Sequence, residues 1–109
     1  MRLATGVFSL GFLLTTGVAL AADTTLELSI KDHKFTPAEL HAPANTPIII
    51  TVKNLDATPE EFESKPLKAE KVIAAGGTGQ IKVRALAPGR YPFVGEFHED
   101  SAKGVLIVE

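Results

Sequence analysis

The sequence from Thr24 onward predicts an all-β sandwich, and three observations carry that prediction. Apolar and polar residues alternate in Thr24-Thr-Leu26-Glu-Leu28-Ser-Ile30-Lys31 and again in Gln80-Ile81-Lys-Val83-Arg84, the mark of strands with one buried face. Short β-prone runs recur with Gly and Pro turns between them, a spacing typical of sandwiches. No segment sustains a helical period.

The elements follow in chain order. Arg2 and the apolar or small stretch from Leu3 to Leu20, ending in Ala19-Leu20-Ala21, read as a signal peptide over residues 1–21. The stretch is short for a membrane anchor, is broken by Gly6, Gly11 and Gly17, and lacks a basic stop-transfer flank. The mature chain is therefore expected to begin near Ala22 or Asp23, exported to the periplasm and not itself membrane-spanning after cleavage. After the first strand, Phe35-Thr-Pro37-Ala-Glu-Leu40 is a second short segment, held to an edge or bend by Pro37. Asn45-Thr46-Pro47 is a turn, and Ile48-Ile-Ile50-Thr-Val52-Lys-Asn54 is the strongest β run and the expected central strand. Glu61 to Ser64 is brief, and Ala69 to Ile73 reads as strand or irregular. Pro88-Gly89 turns the chain into Tyr91-Pro-Phe93-Val94, and Val105-Leu-Ile-Val108 closes the sheet.

Composition removes several function classes. The chain has 11 Lys and Arg against 13 Asp and Glu, with no basic stripe or aromatic ladder, so nucleic acid is not an expected partner. It has no Cys; an exported domain this small must then be stabilised by packing, a metal or a partner. Gly76-Gly77-Thr-Gly79 lacks the Lys and Ser/Thr of a phosphate loop. No Ser or Cys lies in a nucleophile motif, which leaves hydrolytic catalysis unsupported.

Two stretches carry a family resemblance. Phe35-x-Pro37, Leu40, the turn at Ala44-Asn45 and the strand ending at Asn54 are similar to the first half of plastocyanin-like cupredoxins. Tyr91-x-Phe93, His98 and Lys103-Gly104 resemble their second half. The resemblance implies a cupredoxin-like Greek-key β-sandwich of about seven to eight strands over residues 22–109. More narrowly, Pro59-Glu-Glu61-Phe62-Glu63 and Gly95-Glu-Phe-His98-Glu-Asp100 resemble the cupredoxin-like domains of bacterial periplasmic iron-uptake systems, which pair a metal-binding periplasmic protein with a membrane iron permease.

Carried over by position, the family's first His falls near Glu60, its Cys at Gly95, its second His at His98 and its axial Met at Ala102. Blue copper requires the thiolate, so a type 1 centre is excluded. What remains is His98 flanked by Glu96, Glu99 and Asp100, with Glu60, Glu61 and Glu63 expected at the same end and Lys31-Asp32-His33-Lys34 approaching it. Carboxylates with one or two imidazoles suit iron, Mn(II) or Cu(II) better than Cu(I). The plainer alternatives stand beside this. His98 alone is compatible with a hairpin hydrogen bond, His33 reads first as structural, and His41 as surface. Glu61 and Glu63 share strand parity, and in this plainer alternative both face water, pairing with Lys65 or Lys68 for little energy.

The expected function is that of a periplasmic accessory in iron or copper uptake, binding or handing over a metal through His98 with Glu60 or Glu61, supported by Glu96, Glu99 and His33. The expected partner is a periplasmic metal-binding protein or an iron permease. A ferroxidase role shared with a partner is implied by the resemblance only. The alternative is a metal-free interaction module that docks through the ligand-loop end.

Overall fold

In the computed structural model residues 24–109 are described; the signal peptide read over 1–21 and the start of the mature chain lie outside them. Among the described residues nine strands form two sheets, one or two more strands than the sequence suggests. The first sheet has the order β2 (Lys34–Thr36), β1 (Thr24–Lys31), β4 (Ile48–Asn54), β7 (Thr78–Val83). The second runs β3 (Glu39–Ala42), β9 (Lys103–Val108), β8 (Gly89–Gly95), β5 (Glu60–Ser64), β6 (Ala69–Ile73). The additional strand arises in the segment that the sequence suggests is continuous from Phe35 to Leu40. The stretch around Pro37 divides into β2 and β3, which belong to different sheets, so the chain changes layers there.

Period-two alternation sets the core. In β1 the residues Leu28 and Ile30 are buried while Glu27 and Lys31 are exposed. In β4 the residues Ile48, Ile50, Val52 and Asn54 all face inward, and β4 is central, pairing parallel with β1 and antiparallel with β7. Phe35, Phe62 and Phe93 meet between the sheets. Phe35 stands edge-on to Phe93 at 5.1 Å between centroids, and Phe62 lies against Phe93 at 5.1 Å. These arrangements favour aromatic pairs beyond the area they bury.

β5 departs from simple alternation. Glu60, Phe62 and Ser64 face the core, yet Glu61 on the opposite face is also buried, at 9 % exposure. The plainer alternative in which Glu61 and Glu63 both face water does not hold for Glu61, and among the described residues neither is ion-paired to Lys65 or Lys68. Register gives the reason. β5 lies between β8 and β6, with Phe62 opposite Gly95 and Glu63 opposite Glu70. One step further along the β8 side sets Glu96 beside Glu61, so side chains from both neighbours cover its outer face.

Candidate functional site

Asn54, which ends β4, organises one end of the sandwich. It is fully buried; its side-chain amide donates to the carbonyls of Thr58 at 2.8 Å and Ile73 at 3.2 Å, and its Oδ1 accepts the N–H of Asp56 at 3.0 Å. That turn aims the Asp56 carboxylate at the β1–β2 hairpin, where it accepts the backbone N–H groups of Asp32 at 2.7 Å and His33 at 2.9 Å. Both residues adopt left-handed backbone, with φ of 52° and 58°, a conformation Asp and His tolerate when local hydrogen bonds support it. The His33 N–H holds Asp56 below its ordinary carboxyl value, with a further favourable contribution from the Asp32 N–H.

So fixed, the His33 ring lies flat on that of His98, centroids 3.5 Å apart and planes 12° from parallel. His98 ends a short 3₁₀ turn, Glu96–His98, between β8 and β9. Its backbone carbonyl accepts the N–H groups of Ala102 and Ser101, and the Gly95 N–H donates to Ala102 at 2.9 Å. Ala102 and Glu60 are buried beneath this turn.

The four positions carried over from the copper ligands thus converge, and their residues close on one another. His98 Nδ1 donates to Glu60 Oε2, while Glu60 Oε1 accepts the N–H of Phe97 at 2.9 Å and that of Glu61 at 3.1 Å. A Cβ built on Gly95 would stand 2.8 Å from the Glu60 carboxyl carbon and 2.7 Å from the Ala102 Cβ. The Glu60 carboxylate therefore fills the space where a side chain at the Cys position would begin. These residues do not fit a blue-copper ion: they offer no sulfur, and the one buried carboxylate is committed to three donors.

Outside this closed group lies a second set of carboxylates. One oxygen from each of Glu61, Glu70 and Glu96 falls within 4.8 Å of the others. The crowding pushes Glu61 up to about 7, first through contact with Glu96 and then with Glu70, while Glu63 is raised chiefly by Glu96. Glu96 is lowered by the same two neighbours, Glu61 before Glu63. The group therefore holds a proton to near neutral pH. Beside it, a shallow cleft of about 340 Å³ is lined in part by Glu63, Lys65, Pro92, Glu96 and Glu99.

The residues singled out by the sequence thus fall into two groups. Glu60, His98 and His33 are joined by hydrogen bond and stacking, and Glu61 and Glu96 lie together on the outer face. Glu99 is exposed at the cleft, outside the carboxylate triad. His41 is exposed, with Nδ1 3.1 Å from Glu109. Sequence reasoning missed Asp56 and Glu70. Reading Ser64–Ala69 as a hairpin around Lys65-Pro66-Leu67-Lys68 would have set Glu70 opposite Glu63 and exposed the acidic face.

Comparisons with known proteins agree with this architecture. An uncharacterized protein of Rickettsia prowazekii (strain Madrid E) is 41% identical over 83 residues, which are 76% of this chain and 66% of that protein. The chain thus spans just under two thirds of that relative's length. Among solved structures, the blue copper protein auracyanin A from Chloroflexus aurantiacus superposes with a TM-score of 0.68 at 16% identity, over 80% of this chain and 99% of its own. The metal-binding domain of the Cu(I)-exporting P-type ATPase CopA of Streptococcus pneumoniae D39 gives 0.67 at 16% identity, over 78% and 84%. At such identities these two show the shared fold. The profile of the cupredoxin-like domain family matches residues 3–108, nearly the whole sequence. With the two-sheet sandwich and the converging ligand positions, that match places the chain in the cupredoxin-like domain family, as a member without a type 1 copper site.

Proposed function

We propose that the protein is an exported accessory of iron or copper uptake that holds a metal ion on the outer carboxylates of its ligand-loop end. Glu61 and Glu96 are the primary contacts in this reading. Glu60 and His98 serve to brace the loop. One observation carries it: Glu61 Oε1 is buried without a hydrogen-bond partner among the described residues while its carboxylate faces that of Glu96. A buried carboxylate oxygen left unpaired is costly, and a cation at this point would relieve that cost and take the place of the proton that Glu61 holds against Glu96. The family's association with copper proteins and the resemblance to iron-uptake domains supply the biological setting. A periplasmic metal-binding protein or membrane iron permease is the partner in keeping with it.

The second reading is a metal-free docking module, and the closure of Glu60 on His98 favours it. Phe97, beside that pair and 48 % exposed, would contribute apolar contact area. Equilibrium dialysis of the purified exported protein against Fe(II), Fe(III) and Cu(II) separates the two. Near-stoichiometric uptake that weakens at least tenfold in Glu61→Gln is the expected result; absence of uptake for all three ions overturns metal handling.

A further inference from the structure

The donor set on the outer face is more specific than a general affinity for metals. We propose that Glu61, Glu70 and Glu96 form an all-oxygen site for a hard divalent or trivalent cation, without imidazole coordination. This rests on the metal-handling reading above and deepens it by adding Glu70 and by fixing the class of ion.

The three side chains come from β5, β6 and the 3₁₀ turn, and the sheet register brings them together. Their oxygens lie within 4.8 Å of one another. Three oxygens so placed always leave a point within about 2.8 Å of all of them, so small Glu torsions bring them to the roughly 2.3–2.6 Å typical of Ca(II).

A cluster of acids alone would mean little, since exposed carboxylates often share a face without any ion. Here the inner member is different. Glu61 is 9 % exposed, and its Oε1 has neither solvent nor hydrogen-bond partner among the described residues. No Lys or Arg among them reaches ion-pair distance of the triad.

Chemistry then selects the ion. The donors are hard carboxylate oxygens, which suit Ca(II), Mn(II), Fe(III) and the lanthanides; thiolate-seeking Cu(I) finds nothing here. The inward nitrogen of His98 is committed to Glu60. Glu70 and Glu96 are exposed, leaving the outer side of the ion open to water. Such a site can release its ion to a partner that supplies further ligands.

The test uses the full exported protein with Mn(II) and Tb(III) as probes, free Mn(II) being read by EPR and bound Tb(III) by sensitised emission or calorimetry. One equivalent of each should bind, with affinity at least tenfold weaker in Glu70→Gln and unchanged in Glu27→Gln, a change on an exposed position of β1 in the other sheet. Circular dichroism checks that every variant is folded, which the exposure of Glu70 and Glu27 favours. Cu(II) loaded as a reporter should give an EPR spectrum without nitrogen superhyperfine splitting. If a metal binds equally to Glu70→Gln, or if nitrogen coupling appears, the triad is overturned while metal handling stands. If Mn(II), Tb(III), iron and Cu(II) all fail to bind at millimolar concentration, both fail.

Discussion

Glu60 occupies the position of a copper ligand and performs a different task. Its two oxygens receive three N–H groups from β5 and the 3₁₀ turn, and it is 1 % exposed. Replacing it by Ala would orphan three donors, the buried N–H of Glu61 and the partly buried ones of Phe97 and His98, and a buried polar group left without its partner costs about 1–3 kcal/mol. Urea denaturation of Glu60→Ala should show a loss of that size, and Glu60→Gln, which keeps the volume and one acceptor, a smaller one. Gly95 answers to the same carboxylate. Gly95→Ala drives a methyl against Glu60 and Ala102, and overpacking of this kind costs about 1–3 kcal/mol. Combined with Glu60→Ala it should cost less than the sum of the two single changes, because the carboxylate it strikes is gone. A strictly additive double mutant would show that the two do not share this space.

At the scale of elements, β5 is where sequence reasoning succeeded and fell short. Its existence and the placement of Glu60 at the His98 end were legible from Pro59-Glu-Glu61-Phe62-Glu63. The burial of Glu61 was not, because period two reports which residues share a face and says nothing of what covers that face. The covering residues come from β6 and the turn after β8, and only register places them. The pH dependence of stability follows from that crowding. The native state holds the Glu61 proton up to about pH 7, against an ordinary value of 4.5. Between those values it binds more protons than the unfolded chain, so stability falls as pH rises through this window. The lowering of Glu96 by Glu61 opposes part of that trend. Asp56 acts in the reverse sense: its lowered value contributes stability above its ordinary 3.8 that is lost in more acidic solution. Thermal melts of the metal-free protein should therefore be highest near pH 5 and decline toward pH 7.5. Glu61→Gln should flatten that decline; an unchanged slope would place its origin elsewhere.

For the whole molecule, the sandwich itself was readable because each strand carries its own alternation. The inner rows of β1, β4 and β7 fall where the pattern puts them. The allocation of strands to sheets was less accessible. β2 and β3 are separated by two residues, Pro37 and Ala38, yet pair with β1 in one sheet and β9 in the other. A short sequence window carries no information about so distant a partner. The sheets are joined through Phe35, Phe62 and Phe93, and Phe62 is adjacent in sequence to Glu61. Phe62→Ala should cost about 3–5 kcal/mol and, through the shared strand, weaken cation uptake along with stability. Chemical denaturation and dialysis on the same preparation check both.

Adjacent positions in a strand look out from opposite sides of the sheet. Glu60 and Glu61 are therefore neighbours along the chain and inhabitants of different environments, one the keystone of a sealed vault and the other a hook on the outer wall. On the function proposed above, the step from Glu60 to Glu61 carries the ion from the interior to the threshold. An ion kept inside is suited to passing electrons through the protein; one held outside can itself be passed on.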